Sequence, residues 1–198
     1  AKLISNTKPG DIKYKDISGP DGEPDGAISS EYDRVLLGGS LPRYLYGGNI
    51  NLKYKNFDFT IIVQGVGKQT SKMTNSMVLP FINQYIEVPQ NIVGKYWSHY
   101  NTEAQNLEAQ YPRVATTTSN YSASDFWLFD GSYFRMKNIT LGYAIPKNIS
   151  ELVGIKSLRV YGSVSDLFSI DQYPEGWDPE ASSYWITTSY ILGAKITF

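Results

Sequence analysis

An all-β chain of antiparallel strands, with lipid on one side and water on the other, is the fold class this sequence predicts on three observations. The last thirteen residues, ITTSYILGAKITF, place Tyr190, Leu192, Ala194, Ile196 and Phe198 on one side of a two-residue period and Ile191, Gly193, Lys195 and Thr197 on the other. Such a strand fits a wall between hydrocarbon and water, where a tilted spanning strand needs about 9 to 11 residues. Connections between the alternating segments are by turns short (55–56, 146–154) and long (69–130, 169–185), the asymmetry of a membrane β-barrel. Composition is the third: aromatics reach 14% with sixteen tyrosines while charged residues are only 19%, which suits strands with wet loops better than helices.

The elements follow in order. Residues 9–34, PGDIKYKDISGPDGEPDGAISSEYDR, are rich in Gly, Pro and Asp without apolar period, hence loop. The first strand is expected within 45–56, with Tyr46, Ile50, Leu52 and Tyr54 opposite Asn49, Asn51 and Lys53. Lys55-Asn56 reads as a tight turn because asparagine tolerates a left-handed backbone. The second strand, 57–68, sets Phe57, Phe59, Ile61 and Val63 against Asp58, Thr60 and Gln64, so the pair forms a hairpin with one continuous apolar side.

From 68 to 125 periodicity disappears; a connection this long is either a functional loop or an unrecognised element, with a short helix expected within 103–110. The third strand, 130–145, puts Ile139, Leu141, Tyr143 and Ile145 on one side. Arg135 and Lys137 fall in that same phase, so either this end projects beyond the membrane or a bulge resets the face. Pro146 ends the strand and 148–153 can form one helical turn. The fourth strand, 155–168, opposes Leu158, Val160, Val164 and Phe168 to Arg159, Tyr161, Ser163 and Ser165; the fifth is 186–198.

A formal net charge of −1 over 198 residues provides no basic field for a nucleic-acid backbone, so nucleic acid is not an expected partner. Cysteine is absent, which excludes disulfides and thiolate metal sites. No apolar run reaches the roughly eighteen residues of a membrane helix, a test that alternating barrel strands escape. The start, AKLISNTKPG, has no methionine or signal peptide and is read as that of a piece of something longer.

Several runs carry a family resemblance: PGDIKYKDISG, YDRVLLGGSLPRYLYGGNINLKYKNFDFTIIVQGVG, YWSHYN, AQYPR, SDFWLFDGSYFRMKNITLGYAIP, GIKSLRVYGSVSDLF, YPEGWDPE and the terminal YILGAKITF. In this order they resemble the carboxyl-terminal portion of SusC/RagA-type TonB-dependent outer-membrane transporters. The resemblance implies the last five or so strands of a large barrel of about 22 strands, with long extracellular loops and short periplasmic turns. It places the carboxyl end on the periplasmic side, in the outer membrane of a Gram-negative bacterium of the Bacteroidota. It also implies partners: the remaining barrel and plug, a SusD-like surface lipoprotein, TonB, lipid and lipopolysaccharide, and the barrel assembly machinery. That machinery would read Tyr190, Leu192, Ile196 and Phe198 as an assembly signal. Large nutrients, oligosaccharides or peptides, would be the cargo.

Each candidate site has a plainer role beside the functional one. Asp21, Glu23, Asp25 and Asp33, with Asp16, sit among glycines in a pattern like an EF-hand calcium loop, but Tyr32 occupies the place of the bidentate acid. Calcium in the 16–33 loop and a solvated turn both stay open, and no cofactor is required. Trp97, Tyr100, Trp127, Trp177 and Trp185 could stack on sugars or peptides, or serve as girdle and loop packing. Asn49, Asn51, Lys53, Gln64 and Arg159 are expected to line water or touch a plug. An enzyme is not expected: His99 is the single histidine, so no histidine triad or multi-histidine zinc site can be drawn, and a Glu175/Asp178 pair is too common a feature to argue from. GVGKQT at 65–70 lacks both the first glycine and the Ser/Thr of a phosphate loop. Two other classes remain, a soluble β-sandwich carbohydrate-binding module and a passive porin. The former requires Ile50, Leu52, Leu192 and Ile196 to lie in a closed core.

Overall fold

The computed structural model describes residues 7–73, 78, 88–115, 118–181 and 186–198. Five strands, β1 (Tyr44–Tyr54), β2 (Phe57–Gly67), β5 (Tyr133–Ala144), β6 (Ser157–Asp171) and β7 (Ser189–Thr197), form one antiparallel sheet in the order β1-β2-β5-β6-β7. Two short strands, β3 (Thr70–Lys72) and β4 (Leu128–Asp130), pair separately. The chain divides into two compact units, one of residues 1–38 and 72–128, the other of 39–71 and 129–198, which holds the sheet.

Register explains why these sequences pair. On one face, Ile50, Ile61, Ile139, Val164 and Tyr190 stand side by side across all five strands. The next rows read Leu52, Phe59, Leu141, Gly162, Leu192 and Tyr54, Phe57, Tyr143, Val160, Ala194. Directly opposed apolar and aromatic pairs are what stabilises a ladder, and the Phe57 and Tyr143 rings meet at 4.6 Å. A one-residue slip of any strand would exchange both faces at once, so the apolar row fixes the register.

Among the described residues this face is largely uncovered. Leu192 is 91% exposed, Leu52 58%, Ile50 52% and Ile196 47%, so the closed core that a soluble sandwich requires is missing among the described residues. No helix there is long and apolar enough to cross a membrane, which leaves spanning by strands untouched.

The short connections behave as turns, with one correction. Between β1 and β2 it is Lys55, at φ 52°, and not Asn56 that adopts the left-handed backbone. Between β5 and β6, helix α2 (Lys147–Ser150) and a 3-10 turn end at Gly154, φ 71°, which closes the helical turn. At the far end the long connection is tied at its neck by Gly131 N–H donating to Gln69 O (2.9 Å) and Lys68 N–H donating to Ser132 Oγ (3.0 Å).

The described residues of the stretch that lost periodicity belong mostly to a compact unit rather than an open loop. Its helix α1 (Glu103–Leu107) carries a capping box in which Gln105 N–H donates to Thr102 Oγ1 and Thr102 N–H donates to Gln105 Oε1. Asn120, fully buried, links distant segments: its Oδ1 accepts from Ile12 N–H, its Nδ2 donates to Asp11, and its carbonyl accepts from Trp127 Nε1. Arg113 pairs with Asp11. Such multiply bonded buried polar groups specify a fold that aperiodic sequence does not advertise.

Candidate functional site

The face opposite the apolar rows is polar and internally bonded. Asn51, Thr60, Thr140 and Ser163 stand in one row, with Thr60 Oγ1 donating to Asn51 Oδ1 and Thr140 and Ser163 sharing a bond, both at 2.8 Å. Asn138 Nδ2 donates to Ser163 and Ser165. Closer to the short turns, Arg159 reaches across β5 to Asp58, its Nε donating at 2.8 Å. The reach passes over Gly142, where an added Cβ would stand 2.2 Å from Arg159 Nη2 and 2.5 Å from Asp58 Oδ1. Glycine is needed here as open space for a guanidinium. Asn49, Asn51, Lys53, Gln64 and Arg159 belong to this polar face by register, as the alternation requires.

A bulge builds the second polar feature. The β2–β5 register shifts between Ile62 and Val63, and the β5–β6 register shifts between Met136 and Asn138. Against β2, Lys137 is the extra residue of β5; β6 in turn sets two residues, Asp166 and Leu167, opposite Lys137, with Asp166 at a left-handed φ of 50°. Beyond the bulge the phase is reset: Met136 and Phe134 join Val63, Phe168 and Ile170 on the apolar side, and Arg135 turns to the polar side. Of the two readings of the cations at 135 and 137, the bulge is therefore the correct one.

There Arg135, 3% exposed, bonds Asp178 through Nη2 and approaches Asp166 and Glu180 through Nη1, each at 3.5 Å. Lys137 Nζ donates to Asp166 Oδ1 at 2.7 Å and to Glu180 Oε2 at 2.9 Å. Gln64 Nε2 completes the group on Glu180 Oε1. Asp178 is thus committed to an arginine, while Glu175 is exposed. Sequence reasoning missed this cluster, although two cations in the phase of Ile139 and the acid pair of Asp-Pro-Glu at 178–180 were its signal.

The aromatic candidates are scattered. Trp127 is buried against Tyr111, Tyr121 and Phe126; burial pushes the Tyr121 hydroxyl up to about 12, with Arg113 opposing, so it stays neutral. Trp97 lies over Gly10 and edge-on to His99, while Tyr100 is fully exposed. Trp177 is half-buried in the other unit, and Trp185 lies outside the described residues. Tyr190, Leu192 and Ile196 stand on the apolar face of β7, and Phe198 follows it, 78% exposed.

The carboxylates of the 16–33 loop have backbone partners. Asp33 accepts from the amides of Ile17, Ser18 and Ser29, bonds that hold its carboxyl below the usual carboxylate range. Asp16 accepts from Gly26 N–H and Asp25 from Ala27 N–H, whereas Asp21 and Glu23 are exposed. These acids brace the loop's own backbone, and the described residues contain no group of three or more metal-ligating side chains.

No protein-family model matches the chain. TonB-dependent receptor P3 of Formosa agariphila is 32% identical over 185 residues, covering 92% of this chain and 16% of that protein. TonB-dependent receptor SusC of Bacteroides thetaiotaomicron is 25% identical over 201 residues, covering 98% of this chain and 18% of that protein. Among solved structures, the RagAB peptide importer in its open-open state aligns at a TM-score of 0.68 and 16% identity, over all of this chain and 21% of that one. The chain thus spans 16 to 18% of the length of these curated relatives. Similar in sequence along nearly its whole length and alike in fold, the chain is recognised as a segment of the SusC/RagA type of TonB-dependent receptor.

Proposed function

We propose that this chain forms five adjoining staves and part of the loops of an outer-membrane TonB-dependent transporter of the Bacteroidota that imports large nutrients. The observation that carries the reading is the apolar face: rows of side chains aligned across five strands and left bare, opposite a face of bonded hydroxyls, amides and ion pairs. An uncovered apolar face of this extent is stable against hydrocarbon, while the polar face lines a water-filled interior. The rest of the barrel and a plug complete the wall, and TonB supplies the energy. A SusD-like lipoprotein serves as surface partner, and oligosaccharides and peptides are the two cargo classes. The named relatives are receptors and an importer, in keeping with transport rather than catalysis.

Cysteine scanning in the complete transporter, on a cysteine-free background and in native membranes, tests this reading. Ile50→Cys and Leu192→Cys are expected to react with an apolar maleimide and resist a charged one; Thr140→Cys and Lys195→Cys should take the charged reagent. Equal reaction of all four with the charged reagent would overturn the membrane reading. Loss of uptake in cells lacking TonB separates the active transporter from a passive porin, which would keep its flux.

A further inference from the structure

We propose that Arg135 and Lys137 are positioning residues that latch segment 173–181 onto the polar face of the sheet, and that the bulge at Lys137 of β5 exists to supply this latch. In an unbulged β5 both cations would share the side of Ile139. Inserting Lys137 and bending Asp166 into a left-handed backbone turns them to the polar side, where the segment's only carboxylates besides exposed Glu175, Asp178 and Glu180, meet them. Fixed and movable halves are thus distinct: Arg135, Lys137 and Asp166 belong to the strands, Asp178 and Glu180 to the segment.

Among the described residues the segment's other ties to the strands are few, Gln64 Nε2 donating to Glu180 Oε1 among them. Tyr173 gives a second anchor, its ring edge-on to Phe129 and its hydroxyl 3.0 Å from Ser71 Oγ. Between the anchors a tight turn closes through Trp177 N–H donating to Pro174 O, with Gly176 at φ 84°. Ion pairs at one end and one aromatic at the other hold a loop in place yet let it detach without disturbing the ladders. On the transporter reading, on which this inference rests for its meaning, the latch keeps the loop and Trp177 folded over the lumen. Its opening clears the path.

Hydrogen–deuterium exchange on the complete protein in detergent tests the latch. Arg135→Gln should raise exchange across 173–181 on the order of tenfold, while the β5–β6 ladder keeps its protection. The exchanged pair Arg135→Asp with Asp178→Arg should recover much of the protection, which a purely structural arginine would not allow. If Arg135→Gln fails to assemble, Asp178→Asn, altered only on the movable half, is read instead. Unchanged exchange across 173–181, or loss of protection spreading equally through β5 and β6, would overturn the proposal. These outcomes are independent of the labelling pattern at Ile50 and Leu192, so latch and membrane reading can fail separately.

Discussion

Asp11 sets the acid dependence of the unit that contains it. Burial pushes its carboxyl up, but the Arg113 guanidinium, the Lys8 amide and Asn120 together outweigh burial and hold it below its ordinary 3.8. Its side chain is 1% exposed, so the pairing is little screened. A carboxyl with a depressed folded pKa contributes stability that is complete above its unfolded value and lost as pH falls through the folded one. The unit should therefore weaken below about pH 4, read as a falling urea midpoint of tryptophan fluorescence. Asp11→Asn should flatten that acid limb and cost roughly 1 to 3 kcal/mol at neutral pH, because Arg113 loses its anion. A variant with the same acid limb as the parent would contradict the assignment. Gly10 beside it shows the same economy of space: at φ 85° and under the Trp97 ring, it admits no side chain.

Strands translate such local chemistry into two faces. On β7 a charge is tolerated or not according to parity alone, since Leu192 and Lys195 face opposite ways. Leu192→Arg is expected to destabilise the assembled protein by about 2 to 4 kcal/mol, whereas Lys195→Arg should be near neutral. Equal urea sensitivity of the two variants in lipid would refute the facing. The alternation of β1, β2, β6 and β7 was legible because side-chain direction in a strand depends only on residue count. What stayed illegible needs coordinates of a neighbour. The bulge at Lys137 is stabilised by Asp166 and Glu180, far along the chain, and the unit around Asn120 is held by polar bonds of long sequence separation. Likewise, the backbone amides that the carboxylates at 16, 25 and 33 accept from are not legible in sequence, because amide-capping and metal-binding loops both use Asp among glycines. The tryptophans carried no sign of which would be covered; Trp127 is buried through contacts with Tyr111 and Tyr121.

At the scale of the whole chain, the sheet ends in two strands, β1 and β7, that each have one neighbour among the described residues. Unpaired edges beside a bare apolar face are the conditions for aberrant association. Produced alone in buffer without detergent, the 198-residue chain should elute as aggregates by size-exclusion chromatography with light scattering, and a monodisperse monomer there would contradict the membrane reading. On the transporter reading, the neighbouring staves of the barrel pair with those edges. The tied neck between β2 and β5 bears on a different matter, the order of events in time. Turns join β1 to β2 and β5 to β6, so each hairpin closes on local contacts, but β2 finds β5 only after the connection 68–132 has been brought end to end. Closing a flexible loop of that length costs roughly 4 kcal/mol of chain entropy before the ladder returns any of it. Two hairpins therefore precede the wall. The bonds from Gly131 to Gln69 and from Lys68 to Ser132 act as the clasp that commits them to each other.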